Sequence, residues 1–80
     1  MNDASIPVLE TLHKAGIAIS AGAIQYELER TMKRPPSRST ITRALRELQN
    51  HELVTKPDED KIYYELTDKG RKSMTENSTQ

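Results

Sequence analysis

The chain has no cysteine and no phenylalanine, and its only aromatic residues are three tyrosines. Without cysteine, disulfides and thiolate–metal sites are excluded, and a reducing compartment is compatible. No apolar run approaches the roughly 18 residues of a membrane span. The start, MNDASIPVLE, carries neither a basic n-region nor a long apolar stretch. It does not read as a signal peptide, and a cytoplasmic location is expected. Net charge is lacking too, since 12 Lys and Arg balance 12 Asp and Glu. Large apolar residues are scarce: Leu, Ile and Val make up 15 of 80 residues. That is close to the composition at which disorder competes with folding. Zero net charge and regular apolar spacing argue for folding. The expectation is one small domain with a modest core, for which self-association is a reasonable source of extra stability.

The balanced charge is unevenly placed. Between positions 30 and 46 stand Arg30, Lys33, Arg34, Arg38, Arg43 and Arg46, with no Asp or Glu among them. Basic charge concentrated on one segment of a neutral chain points to a localised anionic partner, although a solvated loop and helix face would carry the same residues.

Apolar periodicity predicts the elements around this segment. Residues 5–15 read as a helix capped by Ser5 or Asp3, with Val8, Leu9, Leu12 and Ala15 on one stripe and Gly16 as its stop. IAIS reads as a brief strand. Ser20 then opens a helix over 21–31 with Ala21, Ile24 and Leu28 inward. Pro35 and Pro36 make a loop of the next stretch. Ser37 is the expected N-cap of a third helix over 38–50. Its Ile41, Ala44, Leu45 and Leu48 follow the i, i+3, i+4, i+7 pattern throughout. Ser39, Thr42, Arg43, Arg46 and Asn50 are left on the opposite face. LVTK (53–56) and KIYYEL (61–66), joined by the turn residues PDED, read as a β-hairpin. Ile62, Tyr64 and Leu66 are expected on one face, Tyr63 and Glu65 on the other. Thr67 is expected to cap a last helix reaching about residue 76, with Asp68 in its favourable first turn. The expected fold class is α+β, mainly α. It has a three-helix core, a short strand, a β-hairpin and a C-terminal helix, with a domain over 1–76 and a polar tail over 77–80.

SRSTITRALRELQNHELV, followed after a turn by YYELTDKGRK, resembles small winged helix-turn-helix transcriptional regulators. In these a Ser/Thr-rich helix start leads into RxLRxLxxxGLV, a wing, and LTxxGR. The pattern is similar to that of MarR and PadR regulators, and closer to short archaeal and halophage phi-H repressor-like proteins. It covers roughly residues 6–75. The chain departs from the pattern twice. Glu52 stands where the family places a Gly, so Asn50 or His51 is expected to take the positive φ of that turn. The wing tip is acidic, with Asp58, Glu59 and Asp60 where basic residues commonly meet DNA.

The resemblance implies a sequence-specific regulator of double-stranded DNA, expected to be a repressor acting as a homodimer. The third helix would enter the major groove. Ser39, Thr42, Arg43 and Arg46 would then face base edges. Ser37 and Thr40 would meet phosphate at the helix start, and Arg30, Lys33, Arg34 and Arg38 would track the backbone. Lys56 and Lys61 at the hairpin base could reach a flank. No nucleophile elbow, phosphate-binding glycine loop or metal motif is present, and His13 and His51 stand apart without an acidic or cysteine cluster. The chain is therefore expected not to be an enzyme and to need no cofactor or metal. The alternative function is a winged helix used for protein–protein contact.

Overall fold

In the computed structural model, residues 3–78 are described. Among them the chain forms four helices and a three-stranded antiparallel sheet, a mainly α member of the α+β class. The order is α1 (Ser5–Ala15), β1 (Ile19–Ser20), α2 (Ala21–Thr31), α3 (Arg38–Asn50), β2 (Val54–Thr55), β3 (Tyr63–Leu66) and α4 (Asp68–Ser78). β3 lies in the middle of the sheet. Ile19 pairs with Tyr64 and Ser20 with Tyr63 on one side; Val54 pairs with Leu66 and Thr55 with Glu65 on the other.

One core serves every element. Val8, Leu9 and Leu12 of α1 meet Ile24 and Leu28 of α2, the four-residue stripe of α3, and Val54 and Leu66 of the sheet. Ile41, Ala44, Leu45 and Leu48 are each 0% exposed. At about 1.5–3 kcal/mol for each fully buried large aliphatic side chain, the stripe is the strongest single hold on α3. Two helix starts match their sequence signals. Ser20 Oγ accepts from the Ala23 N–H at 3.0 Å, and Ser37 Oγ from the Thr40 N–H at 3.2 Å.

Four expectations need correction. Neither Asp3 nor Ser5 caps α1; its N-cap is Ala4, without a side-chain bond. Ser5 is already inside the helix and buried, and its hydroxyl has no hydrogen-bond partner among the described residues. The hairpin strands are shorter than the β-prone runs that predict them. Pro57 lacks an N–H, Asp58 Oδ1 accepts from the Asp60 N–H at 3.0 Å, and the Lys61 N–H returns to the Asp58 carbonyl at 3.0 Å. This local bonding takes residues 56–62 out of the ladder, so Ile62 is 68% exposed and does not share the buried face of Leu66. Third, α4 continues to Ser78 rather than ending near residue 76; residues 79–80 of the expected tail lie outside the described residues.

The fourth correction concerns the end of α3. Glu52 itself takes the left-handed conformation, at φ 63°, while His51 stays at φ −88°. The Leu53 N–H reaches back to the Leu48 carbonyl at 2.9 Å and the Glu52 N–H to the Gln49 carbonyl at 3.0 Å. This paired pattern is a Schellman motif, and it assigns the left-handed residue by position in the motif, not by side-chain preference. Leu53, the following residue, packs against the core.

LTDKGR then locks α4 onto this junction. Thr67 Oγ1 donates to the Glu52 carbonyl at 2.6 Å and accepts from the Gly70 N–H at 3.0 Å, while the Thr67 N–H binds the Leu53 carbonyl at 3.1 Å. A Cβ on Gly70 would run into that same Leu53 carbonyl oxygen. Arg71 closes the turn through the Leu66 carbonyl at 3.2 Å and Asp68 at 2.8 Å. Because a side chain in the left-handed region costs about 1–2 kcal/mol, Glu52→Gly is expected to stabilise the chain by about 1 kcal/mol after the extra unfolded-state entropy of glycine. Urea denaturation would show this as a higher midpoint at unchanged m-value.

Candidate functional site

The outward surface of α3 follows from its buried one. With Ile41, Ala44, Leu45 and Leu48 turned inward, Ser39, Arg43, Arg46 and Asn50 fall on a single exposed row. The spacing i, i+4, i+7, i+11 is one helical stripe. Neither Arg43 nor Arg46 joins an ion pair among the described residues, where the pairs are Arg30–Glu27 and Arg71–Asp68. Thr42 sits at the edge of the row. It is half-buried, and its hydroxyl donates to the Arg38 carbonyl at 3.0 Å.

Before this row lies a cluster of hydroxyls at the helix start. Ser37 Oγ is 3.1 Å from Ser39 Oγ and 3.0 Å from Thr40 Oγ1. The first-turn N–H groups of a helix carry a partial positive charge, and α3, 13 residues long, has no acid in its first turn. Lys33 and Arg34 are exposed in the preceding loop, on the approach to this end of α3.

Other candidate residues are engaged elsewhere. Arg30 forks onto Glu27, with Nη2 3.1 Å from Oε1 and 3.3 Å from Oε2. An exposed i,i+3 pair of this kind is worth less than about 1 kcal/mol and is readily exchanged for a phosphate. Arg38 turns toward α2, where Nε donates to Gln25 Oε1 at 2.6 Å. Lys56 holds its ammonium 5.9 Å from the centre of the Tyr64 ring, a cation–π contact at the base of the hairpin. Lys61 is exposed beside the acidic tip, where Asp58, Glu59 and Asp60 are all exposed. The structure thus brings together Ser37, Ser39, Thr40, Arg43 and Arg46, with Lys33 and Arg34 leading in, and sets Lys56 and Lys61 apart on the hairpin.

Gln25 is the residue that sequence reasoning missed. It lies 13 positions before Arg38, a separation that no periodicity links. The available signal was a glycine in the first turn of α2, a place where alanine would form the better helix.

A second concavity lies away from this face, between α1 and α2. It is lined by Pro7, Thr11, Ile19, Tyr26, Leu28 and Met32, among others. Among its described lining residues, Tyr26 is the one large side chain with an apolar ring that is strongly exposed. Among the described residues no group of three or more His, Cys, Asp or Glu could hold a metal ion, and no helix is long and apolar enough to cross a membrane.

No family model, no curated protein and no solved structure matches this chain. Any functional reading therefore rests on the chemistry of the α3 face. Ser37→Ala removes the oxygen that takes the Thr40 N–H, so it is expected to destabilise the chain by about 1 kcal/mol, measurable as a fall in the urea midpoint.

Proposed function

We propose that the chain is a sequence-specific, double-stranded DNA-binding transcriptional regulator of the winged helix-turn-helix type, with α3 as the helix that enters the major groove. The row Ser39, Arg43, Arg46 and Asn50 carries this reading, because it joins hydrogen-bonding side chains to two cations that form no ion pair among the described residues. A major groove about 12 Å wide accepts a helix, and Arg can pair bidentately with guanine O6 and N7. The hydroxyls of Ser37 and Thr40 at the helix start suit a phosphate, as do Lys33 and Arg34 in the loop. The element order supports the winged arrangement: two helices, a third with a basic face, then a hairpin whose inner strand also pairs with β1.

One helix reads few base pairs, so useful selectivity calls for two half-sites and hence a homodimer. The exposed described residues of α1 and α4, such as Ile6, Glu10, Lys69 and Lys72, are the surfaces this reading assigns to that contact. The reading places repression ahead of activation, since occupying a promoter is by itself enough to block it. A role in protein–protein contact alone is the second reading. It is favoured by the acidic hairpin tip, which phosphate would repel, and disfavoured by the acid-free row on α3.

Fluorescence anisotropy with duplex DNA over a salt series separates the two. If Arg30, Lys33, Arg34, Lys56 and Lys61 each neutralise a phosphate, log K is expected to fall against log salt with a slope of about −4 to −5 per protomer. Absence of binding at low salt would leave only the protein-contact reading. Arg43→Ala and Arg46→Ala are each expected to cost about 1–3 kcal/mol on the preferred duplex and much less on unrelated sequence. Equal losses on both duplexes would move those residues to the backbone.

A further inference from the structure

Arg38 opens α3 but does not belong to its outward row. Three residues before Ile41, it stands on the flank turned toward α2. Its Nε donates to Gln25 Oε1 at 2.6 Å. Arginine has five donors and no acceptor, so the Gln25 amide must present its oxygen to this contact. The guanidinium lies over Gly22: a Cβ placed there would be 3.1 Å from Nη2 and 3.6 Å from Cζ. Gly22 does not have a positive φ, so its backbone conformation does not require glycine. Alanine would favour the helix. What the missing side chain leaves room for is Arg38.

Gly22, Gln25 and Arg38 therefore form one small device that links the first half of α2 to the first turn of α3. We propose that Arg38 is a positioning residue, held by Gln25 over Gly22, which sets the angle at which α3 meets the DNA without neutralising a phosphate. This rests on the DNA-binding reading of α3. In the free protein the Arg38–Gln25 bond is exposed and adds little to stability. Against a duplex it is shielded from water, where hydrogen bonds strengthen and fix geometry. Small errors in the angle of α3 displace Arg43 and Arg46 from their bases while leaving loop contacts to phosphate in place. The device thus acts on specificity rather than on overall attraction.

Gly22→Ala, Arg38→Gln and Arg38→Lys, compared with the unaltered chain, test this. Each protein is measured by thermal unfolding, and by anisotropy on a preferred and an unrelated duplex over a salt series. Gly22→Ala is expected to raise the melting temperature yet lower the preferred-to-unrelated affinity ratio about tenfold, equivalent to about 1.4 kcal/mol. A merely structural role would not separate those two readouts. Arg38→Gln is expected to lower the ratio similarly at unchanged salt slope, and Arg38→Lys to fail to restore it, because an ammonium cannot reproduce the guanidinium fork. The inference is overturned if Arg38→Gln weakens both duplexes equally and reduces the salt slope by about 1, with Arg38→Lys restoring both, since that is the signature of a phosphate contact. It is also overturned if all three variants keep the ratio of the unaltered chain. If the unaltered chain binds no duplex, the DNA reading falls and takes this inference with it, whereas unaltered ratios in the variants leave that reading standing.

Discussion

Four side chains of α3 are fully withdrawn from water, and the direction of every other residue on that helix follows from them. Ile41, Ala44, Leu45 and Leu48 meet α1, α2 and the sheet at once. A helix anchored along one stripe has no rotational freedom left about its axis. Ser39, Arg43, Arg46 and Asn50 must then point outward, and Arg38 must point sideways to α2. In a chain with so few large apolar residues, this one seam supports both the fold and the orientation of the basic face.

The second constraint is the junction between α3 and β2. Its Schellman turn binds Leu53 into the core and leaves the carbonyls of Glu52 and Leu53 facing the start of α4. Thr67 takes both, and Gly70 lies too near Leu53 to carry a side chain. LTDKGR, the part of the sequence with the most motif-like appearance, is thus accounted for by packing and capping. It supports a particular arrangement of α3, hairpin and α4. It says nothing by itself about what α3 touches, because fold and function are separate questions.

Much of this was legible beforehand, and the exceptions share a cause. Helices 21–31 and 38–50 were readable because capping serines and apolar spacing agree. The first helix misled because Ser5 has the right chemistry but lies one residue too far in, where burial rather than capping decides its place. The hairpin misled because the β-prone Ile62 sits next to a turn whose own hydrogen bonds displace the ladder. Glu52 misled because turn propensity pointed to Asn50 or His51, while the hydrogen bonds of Leu53 and Glu52 set the register. The Arg38–Gln25 contact was out of reach, since a pair 13 residues apart needs the crossing of α2 and α3 to exist first.

A neutral chain with segregated charge has a simple electrostatic consequence. Its long-range field is weak, so any anion it attracts is attracted locally, at the row of Arg43 and Arg46 on α3 and away from Asp58, Glu59 and Asp60. The claim that this face reads duplex DNA is tested most directly by selecting bound duplexes from a random pool. The expected result is enrichment of two related half-sites containing guanines, with the enrichment at particular guanines lost when Arg43 or Arg46 is replaced. A bound pool no different from the starting one, or one indifferent to both replacements, would contradict it.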